Sequence, residues 1–202
     1  MDNPAAVKGS FRGTTADVTL AVMSGRRTPA IELLERLGVV HTLHEYEPPP
    51  ASGRGRGVRP AYGRDAVRAL RIPEERVFKT LVASVDGRLA LAVVPVAAEL
   101  DLKALAAALG GRRAEMADPT AAERATGYVV GGISPLAGRR RLPAVIDESA
   151  FARETINVSA GRRGLEIELA PADLAHAAGA RRARIARPRS PVPTPTGTMG
   201  TS

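Results

Sequence analysis

The chain has 202 residues, 44% of them hydrophobic, which is enough to bury one sizeable core and makes one domain the default. It contains no cysteine, so disulfides, a thiol nucleophile and cysteine-ligated zinc are excluded. A net charge of +8 and a pI near 10.9 point to a polyanionic partner, nucleic acid first, unless the excess only reflects arginine usage on solvated faces.

Residues 1–25 show no sustained period and are expected to be a flexible leader, with the folded domain over 26–187. Thr28-Pro29 opens a helix as N-cap and first turn, Ile31, Leu33, Leu34 and Leu37 supply its apolar stripe, and Gly38 ends it. "VVHTLHEY" (39–46) reads as a strand, "PPPASGRGRGVRP" (48–60) as an exposed basic loop, and Arg64–Leu70 as a short helix. Two β-rich runs, "VFKTLVASV" and "RLALAVVPV", flank Asp86-Gly87, a strong hairpin signal. Asp101 caps a helix through Leu109, and Asp118-Pro119 caps another that Gly127 ends. Strands are expected at Ala144–Asp147, Thr155–Ser159 and Leu165–Leu169, and a last helix at Pro171. The remainder, 188–202, is rich in Pro, Ser, Thr and Gly and offers no core. Strands outnumber helices and some are hairpin-linked, so the fold class is α+β: a single domain with a mixed, partly barrel-like sheet and flanking helices.

With period two, Lys79 shares a strand face with Val77, Leu81, Ala83 and Val85, while Thr80 falls on the other with Phe78 and Val82. Such a lysine either snorkels at the sheet rim or points its ammonium into a cleft. "TGYVVGGISPLAG" (126–138) joins a β-like run, Tyr128–Val130, to a Gly-Gly turn. It matches neither the P-loop nor the dinucleotide fingerprint. What survives is a turn whose N–H groups could hold an oxyanion or ribose oxygen near Arg139, Arg140 and Arg141. His41 and His44 differ in parity, His176 sits in an alanine-rich helix, and no G-x-S-x-G elbow is present. A conventional hydrolase, a metal site and a cofactor are therefore not expected. Ser159 and Glu166 flank the turn "AGRRG" and approach each other if their strands pair. No apolar run nears the roughly 20 residues a membrane span needs, and the N-terminus lacks a secretory layout. The chain is expected to be cytoplasmic, with no membrane partner.

The segments "TPAIELLERLGV", "HEYE", "VFKTLVASVDG", "LAVVPV", "LDLKALAAALG", "MADPTAAERATGYVVGGISPLAG", "RLPAVID" and "INVSAGRRGLEIEL" occur in order over residues 27–187. Together they resemble the YbaK/EbsC family, related to the editing domain inserted in bacterial prolyl-tRNA synthetases. The resemblance implies removal, in trans, of a wrongly attached amino acid from tRNA, with Cys-tRNA(Pro) favoured and prolyl-tRNA synthetase a candidate partner. Lys79 resembles the family's central lysine at the substrate's phosphate or carbonyl end. Tyr46 and Tyr62 resemble pocket-lining aromatics, and Gly131 falls at the backbone that meets the scissile ester. Thr80, Gly132, Ile133 and Ser134 fall within the matching "FKT" and "VGGISP" motifs as substrate-binding positions. Ser159 matches the serine of the "VS-x-G" turn. Glu166 stands where the best-known members have aspartate, and the basic loop 51–59 looks like an insertion.

That resemblance gives the missing triad a physical sense. An aminoacyl ester is already activated, so positioning and oxyanion stabilisation supply much of the acceleration. In the cysteine-specific members the substrate's own thiol is thought to attack its carbonyl, giving a cyclic thioester and free tRNA. Two other readings stand beside this one: an Ala- or Ser-tRNA deacylase using water or a tRNA hydroxyl, and a non-catalytic tRNA- or synthetase-binding module.

Overall fold

The computed structural model describes residues 27–48 and 62–189. The expected leader, the basic loop 51–59 and residues 190–202 of the expected tail lie outside the described residues. In chain order the elements are α1 (Pro29–Leu37), β1 (His41–Glu45), α2 (Tyr62–Leu70), a 3-10 turn (Glu74–Arg76), β2 (Phe78–Val85), β3 (Arg88–Pro95), β4 (Ala98–Leu100), α3 (Leu102–Ala108), β5 (Ala114–Met116) and α4 (Pro119–Thr126). There follow β6 (Ala144–Asp147), a second 3-10 turn (Glu148–Ala152), β7 (Ile156–Ser159), β8 (Leu165–Leu169), α5 (Pro171–Ala178), β9 (Arg181–Ala183) and β10 (Ala186–Pro188).

The helix ends follow from their capping side chains. The hydroxyl of Thr28 accepts from Ile31 N at 3.3 Å, and the carboxylates of Asp101 and Asp118 accept from Ala104 N and Ala121 N at 3.0 and 2.9 Å. Thr28 also donates to the carbonyl of Ala160 at 2.5 Å, fastening α1 to the turn between β7 and β8. The β2–β3 hairpin turns at Asp86 and Gly87, with φ 47° and 82°, the positive values a tight two-residue turn demands.

Strands β5-β2-β3-β6-β9 form one sheet, parallel at β3–β6 and β6–β9 and antiparallel elsewhere. A three-stranded antiparallel sheet runs β1-β8-β7, and β10 pairs with β4. The fold is thus α+β with a mixed sheet, as the sequence leads one to expect, but among the described residues no sheet closes into a barrel. A parallel bridge from Val77 to Asn157 links the two larger sheets.

The five-stranded sheet is covered on both faces. Phe78, Val93 and Ile146 pack with α1, α5 and the apolar face of the three-stranded sheet. Val82, Leu91 and Ala144 meet α4 and the 128–142 segment. Ala83, Ala92, Val94 and Val145 on the other face meet α3 and Ile185. The β-like run Tyr128–Val130 is not a strand: it pairs with no strand among the described residues and belongs to the loop after α4. Its residues fill a different role, with Tyr128 buried against Gly161 and Val129 exposed.

Candidate functional site

On β8, Leu165, Ile167 and Leu169 face the core, so Glu166 and Glu168 face the other way. Register places Ser159 opposite Glu166 on β7, and His44 opposite it on β1, so the expected approach of Ser159 and Glu166 is present. Beyond β7, the Val77–Asn157 bridge lays the start of β2 alongside it. Phe78 joins Ile156 and Val158 in the core, so period two puts Lys79 on the face of Asn157 and Ser159. Helix α2 covers this face: Ala66 packs with Val77 and Val96, and Tyr46 leans on the same cluster. Gly63 of α2 sits so close that a Cβ there would lie 2.2 Å from Val96 Cγ1 and 4.0 Å from Lys79 Cβ. Tyr46, Lys79, Asn157, Ser159 and Glu166 therefore share one face of the curled sheet.

Its electrostatics are those of a half-dry site. Burial pushes the Glu166 carboxyl, only 7% exposed, up to about 8. Burial, then the Glu166 and Asp65 charges, push the Tyr46 phenol up to about 12. Burial, then the Arg189 charge, lowers the Lys79 ammonium from its ordinary value. Lys79 Nζ donates to the carbonyl of Ala98 at 2.6 Å, so the ammonium is held against the backbone of the segment after β3.

The glycine turn abuts the end of this face. Gly131 has φ 90°, and Gly132 N donates to Val129 O at 2.9 Å. A Cβ on Gly132 would lie 2.8 Å from the backbone of Arg162 and Arg163. The close approach that the glycine permits is thus to the β7–β8 turn. The Arg163 guanidinium clasps the same loop, donating to Val130 O at 3.1 and 2.8 Å. Ser159 Oγ lies 3.5 Å from Arg162 O.

Other expected site residues lie elsewhere. Thr80 is on the opposite face from Lys79, its hydroxyl buried without a partner among the described residues. Ile133 belongs to the apolar cluster with Val82 and Tyr128. Ser134 is 1% exposed and accepts from Leu136 N at 3.3 Å, which makes it part of the loop's own fastening. Tyr62 opens α2, and its side chain lies outside what is described. The Arg139–Arg141 run is exposed.

Two features escape sequence reasoning. Asn157 is fully buried, and neither its Nδ2 nor its Oδ1 has a hydrogen-bond partner among the described residues. Its parity with Ser159 was the available signal. Glu168 is clamped by His44 Nε2 at 2.7 Å, Arg76 Nη2 at 2.6 Å and Thr155 Oγ1 at 2.5 Å, contacts that join distant segments. Among the described residues no group of three or more His, Asp and Glu could hold a metal ion. No helix among them is long and apolar enough to cross a membrane.

Comparison with known proteins fits this arrangement. The chain is 40% identical over 105 residues to EbsC of Enterococcus faecalis, provisionally named a Cys-tRNA(Pro)/Cys-tRNA(Cys) deacylase. That match takes in 51% of this chain and 63% of the relative's length. In fold the chain resembles the hypothetical protein APE2540 (22% identity, TM-score 0.68, 79% of this chain and 100% of the other). It also resembles a provisionally named trans-editing enzyme for prolyl-tRNA synthetase (23% identity, TM-score 0.63, 80% and 99%). Residues 61–177, more than half of the chain and including Lys79, Ser159 and Glu166, match the aminoacyl-tRNA editing domain, the family to which this chain belongs.

Proposed function

We propose that the chain is a trans-acting aminoacyl-tRNA deacylase that removes a mischarged amino acid, with Cys-tRNA(Pro) as its substrate and prolyl-tRNA synthetase as a partner. The observation that supports this reading most is the family match spanning a face on which Lys79, Ser159 and Glu166 gather. In this proposal Lys79 leaves the Ala98 carbonyl for the substrate's phosphate or ester end, a charge-assisted contact in a site with little water. The backbone at Gly131 receives the developing oxyanion. Tyr46 and Tyr62 wall the amino-acid pocket, Gly132, Ile133 and Ser134 shape the loop around it, and Thr80 supports it from beneath the strand. Ser159 and Glu166 hold the polar end of the aminoacyl group. With its carboxyl pushed up to about 8, Glu166 is largely protonated at neutral pH and offers a neutral O–H donor.

The chain supplies no thiol, and its three histidines form no pair with a serine among the described residues. In this proposal, as the family resemblance implies, the nucleophile is the substrate's own thiol. Its sulfur attacks the adjacent carbonyl carbon, the bond to the ribose oxygen breaks, and that oxygen takes the proton released by the thiol. The products are a cyclic thioester and free tRNA. Proximity on this face lowers the barrier. The test is a panel of Cys-, Ala-, Ser- and Pro-charged tRNA(Pro) incubated with the full chain and followed for loss of label. Loss of label from Cys-tRNA(Pro) well above the buffer rate is expected. Loss from none of the four would overturn the proposal.

A further inference from the structure

Beyond residue 177, where the family match ends, the segment 181–189 reads RRARIARPR, five arginines and no acidic residue. All five are exposed, yet the backbone that carries them is held firmly. β9 lies along β6 and β10 along β4. Between them Ile185 is fully buried, and Asp147 Oδ2 accepts from Ile185 N and Ala186 N at 2.8 and 2.7 Å. Arg181 donates to the carbonyl of Ala108 at 3.1 Å, and Arg182 lies 4.8 Å from the Phe151 ring centre. Arg184 and Arg187 reach Glu148 and Glu99 at 3.9 and 3.2 Å, both rim contacts of exposed side chains that cost little to exchange.

Arg184 and Arg187 also wall a cleft of about 460 Å³ that reaches Ala97 and Ala98. The Ala98 carbonyl is the group that holds Lys79. The cleft beside the arginine strip thus reaches the residue whose carbonyl holds the lysine of the candidate site, and the Arg189 charge is felt at that lysine.

We propose that the 181–189 strip and the cleft beside it dock the sugar-phosphate backbone of the tRNA strand whose charged end reaches Lys79. This rests on the deacylase reading above. Phosphate is the chemistry that planar guanidinium forks match. A membrane surface is a poorer fit, because the strip's apolar Ile185 points inward and leaves no anchor.

The experiment uses the full chain with Arg184→Gln and Arg187→Gln combined, which spares Arg181 and Arg182 with their structural contacts. Binding of uncharged tRNA(Pro) is measured between 50 and 200 mM salt, and cleavage is measured on charged tRNA and on aminoacyl-adenosine. The double variant should bind tRNA about tenfold more weakly at the lower salt, with a salt slope shallower by about 1.4. Cleavage of aminoacyl-adenosine, which has no phosphate to dock, should stay within twofold. Arg184→Lys with Arg187→Lys should recover most of the slope. Unchanged tRNA affinity and slope would overturn the proposal, as would an equal loss on aminoacyl-adenosine. Polyglutamate that binds as tightly as tRNA, with the same sensitivity to the variant, would also overturn it in favour of an acidic polypeptide. Binding of uncharged tRNA needs no ester cleavage. A wild type that docks tRNA through the strip but cleaves nothing would sink the deacylase reading and leave the docking surface standing.

Discussion

Glu166 and Glu168 leave β8 on the same face, two residues apart, into opposite surroundings. Glu168 has a hydrogen bond from Thr155 and contacts from His44 and Arg76, and these hold its carboxyl below the usual range. It ties β1, β8, the Glu74–Arg76 turn and the segment before β7 together. Glu166 is the more buried of the two, and burial alone pushes it up to about 8. Ser159 stands opposite it, and Asn157, whose amide is buried and unpartnered among the described residues, stands opposite Glu168 and is only a diagonal neighbour of Glu166. At the Glu168 end of the face the carboxylate is committed to the fold by three side chains; at the Glu166 end burial alone shapes the carboxyl. Uncommitted, desolvated polar groups are costly to a protein and are characteristic of sites kept for function.

The largest effect expected from this contrast is in the pH dependence of stability. A carboxyl raised from about 4.5 to about 8 binds its proton more tightly folded than unfolded, so stability falls as pH rises through that window. Across the whole window the fall amounts to about 5 kcal/mol, and Glu166→Gln should abolish it. Urea midpoints at pH 5, 6, 7 and 8 read this directly, and parallel profiles for wild type and variant would contradict it. Next in size, Lys79→Ala should lower deacylation by about 30- to 1000-fold, roughly 2–4 kcal/mol. Its melting temperature should hardly move, because the fold loses one half-buried contact to Ala98. A folded variant with near-normal turnover would remove Lys79 from the chemistry.

At the committed end the pattern should reverse. Glu168→Ala strips His44, Arg76 and Thr155 of their acceptor and should cost about 1–2 kcal/mol of stability, moderated by partial exposure. KM for the charged tRNA should be unaffected, and a change in KM larger than the change in stability would erase the distinction between the two ends. The smallest effect is a gain: Asn157→Leu removes two buried polar atoms that have no partner among the described residues, at similar volume, and should stabilise the chain by about 1 kcal/mol. A loss in thermal or urea unfolding would show that the amide serves the fold.

Much of this was readable in the residues, and the divide is physical. Thr28, Asp101 and Asp118 announce helices because a cap is a local bond, and Asp86-Gly87 announces the hairpin because its φ values are local too. The opposition of Ser159 and Glu166 follows from the short turn between their strands. By contrast β4, β5, β9 and β10 are three residues each, too short to show a period, and exist only because a neighbouring edge pairs with them. Tyr128–Val130 has strand composition, but its ring is claimed by Gly161 and its hydroxyl by the Leu136 carbonyl at 2.9 Å. Asn157 looks like an ordinary strand residue until Val77, from a distant part of the chain, closes over it.

The central claim is that this face positions an ester whose own thiol performs the attack. The most direct test compares cleavage of Cys-tRNA(Pro), Ser-tRNA(Pro) and S-alkylated Cys-tRNA(Pro) by the full chain under one set of conditions. A thiol with a pKa near 8.5 is partly thiolate at neutral pH, whereas the serine hydroxyl is not and the alkylated sulfur cannot attack. The account predicts fast release from the cysteine ester, with a cyclic thioester as first product, and little release from the other two. Equal rates on the cysteine and serine esters, or rapid cleavage of the alkylated one, would contradict it.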